Sequence, residues 1–195
     1  MVKTNYEKCM AGEPFDGSAP ELYAMTLRAK RLLRQLNATD YDDNETKQQI
    51  LAQLFGSIGE RVHVDIDFHC EYGRNIHVGS RVIINMNCTF VDNNRIDIGN
   101  NVLIASDVHI YTAGHSTNVE ERTIREEEGW AICRTYSRPV KIEDDVWIGG
   151  GVTILPGVTI GQGSTIGAGS VITRSIPAHS VAVGNPCRVI KTLEH

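Results

Sequence analysis

The sequence predicts a mainly β fold, a solenoid of short stacked strands with an α-helical cap before it and an extended tail after it. Three observations carry that prediction. The first is the stretch from Ile142 to Pro177, which repeats every six residues as IEDDVW, IGGGVT, ILPGVT, IGQGST, IGAGSV and ITRSIP. A helix needs apolar residues at a period of 3.6 and a flat strand at a period of two. Units of six in unbroken register fit short strands joined by tight corners, each coil stacked on the one before. The second is the chemistry of the positions. Ile142, Ile148, Ile154, Ile160, Ile166 and Ile172 lead the units, and β-branched side chains pack well on a pleated wall. Gly, Asn and Asp between them tolerate the dihedrals of corners. The third is a change of period upstream, where apolar residues recur at helical spacing.

Taken in order, residues 3 to 11 predict a short helix stopped at Gly12, and Glu13 to Pro20 a turn-rich link. Ser18 is placed to cap a second helix opened by Pro20. That helix carries Leu22, Met25, Ala29, Leu32, Leu33 and Leu36 on one face, with Arg28, Lys30, Arg31 and Arg34 mostly on others. A third helix is expected near Glu45 to Phe55, ended by Gly56. Together these helices, residues 1–57, would cap the open end of the solenoid, which otherwise exposes apolar side chains and strand edges. Hexads begin near Ile58 and run through Ile66, Tyr72, Val78, Ile84 and Phe90. A two-residue slip at Asn93 to Arg95 shifts the frame, which resumes at Ile98, Ile104 and Ile110. Fourteen sides, between four and five coils, are expected; at about 4.8 Å per coil they give a prism roughly 20 Å tall. The solenoid, residues 58–177, is interrupted by a charged excursion, Ser116 to Arg138, and a loop of that length inside a compact repeat is usually functional. Residues 178–195 form the tail.

Composition narrows the function classes. A net charge of −5 gives no electrostatic basis for nonspecific binding to nucleic acid or a membrane surface. No apolar run approaches the roughly 18 residues of a membrane-spanning helix. The first ten residues, MVKTNYEKCM, lack the apolar core of a signal peptide. The five cysteines are odd in number and scattered without a CxxC pair, which favours a reducing cytoplasm over a disulfide framework.

His115 is the first candidate for chemistry. It stands at the root of the excursion, after a glycine, in Tyr111-Thr-Ala-Gly-His115, and shares its hexad place with His109 one side earlier, which puts each at a corner. Imidazole titrates near neutrality and suits a general base, although a surface histidine can equally be inert. Asn85 and Asp92 lie in INMNCTFVDNN, one coil earlier. Either could orient a hydroxyl or hold a histidine tautomer; either could simply be a corner residue. Cys70 and Cys88, at fifth hexad positions, read as small buried hydrophobes rather than nucleophiles. His63 and His69 are six apart, as are His109 and His115, so a prism could present them in equivalent places as metal ligands.

Several of these stretches resemble the hexapeptide-repeat acyltransferases, whose prisms are left-handed and triangular with three hexads per coil. The left hand comes from the resemblance alone, since the general crossover rule favours the opposite one. TAGH at the start of the excursion is similar to the catalytic histidine motif of the sugar O-acetyltransferases. INMNCTFVDNN resembles their acceptor-binding segment, with Asn93 where the family has a second acid. His69-Cys-Glu71-Tyr-Gly resembles another acceptor segment, with Glu71 replacing a shorter acid, and Asp16 matches a family position that reaches the acceptor from the cap. Ala182-Val-Gly184-Asn-Pro186-Cys-Arg188-Val-Ile-Lys191 resembles the tail that lines the coenzyme A groove. Arg188 and Lys191 suit its phosphates. Gly150, Ala168 and Gly169 are small enough to let a pantetheine arm approach the wall, and Thr173 and Arg174 stand near the adenine end in the family arrangement.

The resemblance spans nearly the whole chain and is closest to the maltose and galactoside O-acetyltransferase group. It implies that His115 takes a proton from a sugar hydroxyl whose oxygen attacks the thioester of acetyl-coenzyme A. A backbone N–H, that of Gly150, would hold the oxyanion. It also implies a homotrimer with sites between subunits, so that His115 faces a neighbour's Trp147, and it requires no metal. Two alternatives stay open: an acyltransferase of this fold acting on serine or an antibiotic, and a zinc enzyme like the trimeric carbonic anhydrases, which lack this tail. The replacements at Glu71 and Asn93 lead us to expect an acceptor ranking unlike that of plain maltose or galactoside enzymes.

Overall fold

The computed structural model describes residues 2–125 and 131–194. Its centre is a parallel β-prism in which strands of two or three residues stack into three sheets. The inward side chains form three columns. Ile58, Val78, Ile98, Ile142 and Ile160 stack on one side, extended by a bridge from Ile160 to Ile176. Val64, Ile84, Ile104, Ile148, Ile166 and Ala182 form the second. Cys70, Phe90, Ile110, Ile154 and Ile172 form the third. All but Ile58 are buried. The excursion does not disturb this register: Ile98 still pairs with Ile142, as it would were the intervening residues absent.

The columns correct the expected frame in the first coil. Cys70, not Tyr72, is the inward residue opposite Phe90, and Val64 rather than Ile66 leads the side before it. A two-residue insertion at residues 71–75 matches the one at residues 93–95. The coils from Ile58 to Val78 and from Val78 to Ile98 are therefore each two residues longer than the coil from Ile142 to Ile160. Tyr72 is displaced outward and packs instead with Cys9, Phe15, Ala19 and Leu22 of the cap. Among the described residues the parallel strands number five, five and six in the three sheets, and the prism runs to more than five coils, against the four to five expected. The sides beyond the fourteen expected lie at both ends, led by Ile58 before the expected register settles and by Ala182 in the tail.

Val78 and Val64 fill their columns as isoleucine does elsewhere, while Cys70, Phe90 and Ala182 show that other apolar side chains are admitted near the ends. Corners turn through left-handed backbone. Gly151, Gly157, Gly163 and Gly169 take positive φ there, but so do Arg61, Asp67, Arg81, Asn87, Asn101, Asp107, Asp145 and His179. Asn and Asp reach this region at small cost because their side chains bond locally. Here they also bond along the stack: Arg81 Nε donates to Asn101 Oδ1 at 2.5 Å, and Asn101 Nδ2 to Asp145 Oδ1 at 2.8 Å. Side-chain ladders thus tie neighbouring corners together.

The cap closes the N-terminal end. Helix α1 (Asn5–Met10) begins at a capping box, with Thr4 and Glu7 bonding each other's backbone N–H. Helix α2 (Pro20–Asn37) starts at Ala19 without a side-chain cap. Ser18, the expected cap, instead gives both its N–H and its hydroxyl to Asp16 Oδ1, at 2.8 and 2.6 Å. Helix α3 (Asn44–Leu54) is capped by Asp43. Ala29, Leu33 and Leu36 of α2 and Ile50, Leu51 and Leu54 of α3 join the prism core. Phe55, Phe68 and Phe90 meet edge to face beneath them, with centroids 5.7 and 5.1 Å apart.

At the other end Ser180–Val183 adds a parallel strand to Thr165–Ile166, and Arg188–Thr192 folds back antiparallel upon it. The excursion leaves after His109–Tyr111 and returns through Ala131–Ser137, which pairs with Ala113–Gly114 and with Phe15–Asp16 of the cap. Removing an inward side chain mid-stack leaves a cavity its neighbours cannot fill. Ile148→Ala should therefore lower stability by about 2–5 kcal/mol, read by urea denaturation at fixed protein concentration.

Candidate active site

His115 follows Gly114, where the excursion departs, and its ring Nδ1 lies 2.9 Å from the carbonyl oxygen of Arg134. A carbonyl only accepts, so Nδ1 carries the hydrogen of the neutral ring and donates it. Nε2 is then left with its lone pair directed away from that bond, the arrangement a general base needs. The partner carbonyl is itself held: Arg134 stands opposite Asp16, one strand across. The cap and the return strand of the excursion together fix the imidazole. His109 does not sit at a prism corner as expected. His109 lies within a strand, its ring stacked on Tyr111 with centroids 6.2 Å apart.

Beside His115 opens a cleft of about 380 Å³ whose wall includes Gly17, Glu71, Tyr72, Asn93, Tyr111 and Thr135. Glu71 Oε1 accepts from Thr26 Oγ1 of α2 at 3.0 Å. Asn93 Nδ2 donates to the Tyr72 hydroxyl at 3.0 Å, and the residue is 9% exposed. Burial pushes the Tyr72 phenol well above its usual range, so the hydroxyl keeps its proton and can donate it in turn. Asp16 is less direct than its sequence position suggests. Its carboxylate is engaged with Ser18, and Gly17 rather than Asp16 lines the cleft.

Asp92 stands behind this wall and not in it. It is 0% exposed, and it accepts the N–H groups of Glu71 and Tyr72 on Oδ1, at 3.0 and 2.8 Å, and that of Asn75 on Oδ2 at 3.3 Å. The expected acceptor contact is replaced by a structural one: a carboxylate that gathers three backbone donors shapes the inserted turn carrying Glu71 and Tyr72.

The remaining candidates occupy other corners. Asn85, Ala105, Gly149 and Gly167 stack in one column, each N–H bonding the strand above, and Asn85 Nδ2 also donates to the Ile104 carbonyl at 2.9 Å. Gly150 and Ala168 follow in that column, and the half-exposed Trp147 precedes it. A Cβ on Gly149 would come within 2.6 Å of the Ala168 nitrogen, and one on Gly169, at φ +70°, would meet nothing within 4 Å. The corner is therefore a strip of bare backbone, and among the described residues the Gly150 N–H has no acceptor. Arg174 and Arg188 share a small cleft of about 160 Å³ at the far end, and among the described residues neither is paired with a carboxylate. Thr173 and Lys191 are exposed nearby on the same terminal elements. One chain thus separates the residues into two groups, His115 with Glu71 and Asn93 at one corner, and Asn85 with Trp147, Gly150 and Ala168 at another.

The four buried thiols are not arranged for catalysis, and Cys133 is exposed on the return strand of the excursion. Burial raises Cys9 and Cys88 to about 11, Cys70 well above its usual range, and Cys187 upward as well; a thiolate is disfavoured at each. Cys70 takes the inward strand position rather than the expected fifth one. Among the described residues, no three or more His, Cys, Asp or Glu side chains gather as a metal site.

Two families match the chain: the maltose acetyltransferase hexapeptide capping motif over residues 8–59 and the bacterial transferase hexapeptide (six repeats) over residues 139–174. The galactoside O-acetyltransferase of Escherichia coli (strain K12) is 38% identical over 187 residues, covering 96% of this chain and 88% of that protein. The protein belongs to the hexapeptide-repeat O-acetyltransferases of the maltose and galactoside group. A maltose O-acetyltransferase from Clostridium difficile 630 superposes on this acetyltransferase with a TM-score of 0.92 at 45% identity, covering 100% of both chains. A galactoside acetyltransferase in complex with coenzyme A superposes with a TM-score of 0.89 at 36% identity, covering 99% of this enzyme and 92% of that chain. The prism is accordingly the left-handed β-helix of the family, as the sequence resemblance implies.

Sequence reasoning missed the residues that hold this acetyltransferase's site in place. Thr26 and the Arg134 carbonyl carry no motif, Tyr72 read as a hexad lead within its motif and not as a wall of the cleft, and the pairing of Arg134 with Asp16 spans most of the chain. Asp92 yields one test. Burial raises its carboxyl to about 7 against the donated N–H groups, which lower it. With the folded pKa above the unfolded one, the folded state binds the extra proton between about pH 4 and 7, so this group's stabilisation is lost as pH rises through that window. The fall in stability from pH 4 to 7 should be shallower in Asp92→Asn than in the parent, measured by denaturation at a series of pH values.

Proposed function

We propose that this enzyme transfers the acetyl group of acetyl-coenzyme A to a sugar hydroxyl by direct attack, with His115 as the general base. The observation that carries the reading is the His115 imidazole, held by the Arg134 carbonyl with Nε2 free at the mouth of a cleft lined by Glu71, Tyr72 and Asn93. A sugar suits such a wall because its hydroxyls need acceptors and donors in alternation. Glu71 accepts, the Tyr72 hydroxyl donates, and the Asn93 amide does both. His115 takes the hydroxyl proton as the oxygen attacks the thioester carbonyl, then returns it to the departing thiolate. The coenzyme complex of the galactoside relative supports the donor, and the raised thiol pKa values support direct attack over an enzyme thioester.

The coenzyme groove is assigned to the bare-backbone corner and the tail. Trp147 flanks it, Gly150 and Ala168 admit the pantetheine arm, and the unpaired Gly150 N–H is free to hold the oxyanion. Arg174 and Arg188, with Thr173 and Lys191 beside them, meet the phosphates and the adenine end. Because that corner is not the one bearing His115, the reaction needs a second copy of the chain. Ile83, Leu103 and Trp147 pair in register as an apolar stripe, 43, 39 and 51% exposed, which supports a homotrimer whose sites lie between subunits. Asn85 then reaches the acceptor bound against a neighbour's His115. The free thiols support a reducing, cytoplasmic setting, and no helix among the described residues is long and apolar enough to cross a membrane.

Acetyl-coenzyme A turnover over a panel of glucose, maltose, galactosides and glucosamine derivatives tests the whole reading, and turnover with serine but no sugar would reject it. His115→Ala should lower kcat by about 10²–10⁴ with an unchanged circular dichroism spectrum; near-normal turnover removes the base. Arg188→Glu should weaken coenzyme A binding in calorimetry far more than sugar binding, since only the coenzyme carries phosphates. Light scattering should show a trimer, and Trp147→Glu should shift it toward smaller, inactive species.

A further inference from the structure

A second cleft, of about 550 Å³, lies between the cap and the first coils, and His115 has no part in it. Three guanidinium groups reach it from three separate elements: Arg28 from α2, Arg74 from the inserted turn of the first coil, and Arg95 from that of the second. His77 lines it as well, from the strand Ile76–Val78. Among the described residues that line it, none is a carboxylate. The chain carries a net charge of −5, so this local excess of positive charge runs against the composition.

The donors of this cleft are only partly used. Arg74 makes no hydrogen bond or ion pair among the described residues, and its guanidinium lies over the Tyr6 ring, 5.0 Å from the centroid. Arg95 gives Nε to Asp97 at 2.7 Å, which leaves its terminal nitrogens. Arg28 gives one terminal nitrogen to the Gln53 carbonyl at the end of α3. The floor beneath them is rigid. Asn75 is 2% exposed, donates to the carbonyls of Asp92 and Asn93 at 2.8 and 3.2 Å, and accepts from the Tyr6 hydroxyl at 2.9 Å. Burial first, and then Arg95, hold His77 below the usual histidine range, against the smaller opposing pull of Asp97.

A planar guanidinium presents paired N–H groups that match two oxygens of a phosphate, and several around one cleft favour an anion with more than one such oxygen pair. We propose that this cleft binds a phosphorylated small molecule, gripped by Arg74 and Arg95 and clamped from the cap by Arg28. The site is distinct from the one assigned to the coenzyme, whose phosphate partners Arg174 and Arg188 stand on the terminal elements of the prism. Tyr72 is a wall common to this cleft and to the one beside His115.

The test is calorimetric titration of the full chain with pyrophosphate, glucose 6-phosphate and ATP, with glucose as the uncharged control. Saturating coenzyme A is present throughout to fill the phosphate contacts of the tail. Binding by at least one phosphorylated probe is expected, weakening as salt is raised because the groups are open to solvent, whereas any glucose binding belongs to the cleft beside His115 and is unchanged by the arginine substitutions. The order of the three probes distinguishes a sugar phosphate from a nucleotide. Arg74→Gln combined with Arg95→Gln should weaken that binding at least tenfold. Thermal unfolding without ligand checks the fold of the variant, and Arg28→Gln, on a different element, repeats the test should the pair unfold. Absence of binding by all three phosphorylated probes at millimolar concentration, or unchanged affinity in folded variants, overturns the proposal.

Discussion

Every feature of this acetyltransferase depends on the stacking of inward apolar side chains, most of them β-branched, in three columns. Each strand is too short to be stable alone, and each coil buries its inward side chains only against the coils above and below. Register is therefore held by neighbours on both sides. That is why the chain can leave the prism after Tyr111 and rejoin it with Ile142 on Ile98. The excursion is a departure that the stack tolerates, and the site is built where the chain leaves.

Two devices convert that uniform stack into a particular surface. One is the pair of two-residue insertions, at residues 71–75 and 93–95, which push side chains outward where a plain hexad would turn them in. Asp92 fixes the first by collecting three backbone N–H groups, and the same turn carries Glu71 and Tyr72 toward one cleft and Arg74 toward another. The other device is antiparallel pairing on the return of the excursion, which brings Arg134 against Asp16 and sets the carbonyl that orients His115. A parallel prism cannot present a carbonyl in that way from its own wall, because wall carbonyls are taken up by the next coil.

The split between corners follows from the same geometry. Successive sides of a prism face different directions, so the bare-backbone corner and the polar cleft beside His115 fall on different corners of one chain. Ile83, Leu103 and Trp147 leave an exposed apolar stripe on one sheet. The trimer we propose would cover that stripe and bring the two corners together in a single act.

The sequence by itself determined the prism. A six-residue period is local, and each leading isoleucine records its own orientation, so the stack could be read without knowing what lay beside it. It also marked His115, because a glycine-histidine pair at the root of a long excursion is a local signal, and it marked the tail. Tertiary structure decided how the marked residues are held. Tyr72 and Ile66 fit a hexad frame in one dimension, and only the three-dimensional pairing of Cys70 with Phe90 showed the frame to be shifted. Asp92 read as an acceptor-binding acid, and only burial showed it to be a support for the turn. Thr26, the Arg134 carbonyl and the three arginines of the second cleft come from elements far apart in the chain. Their meeting depends on the cap docking on the first coils, a long-range contact that no periodicity encodes.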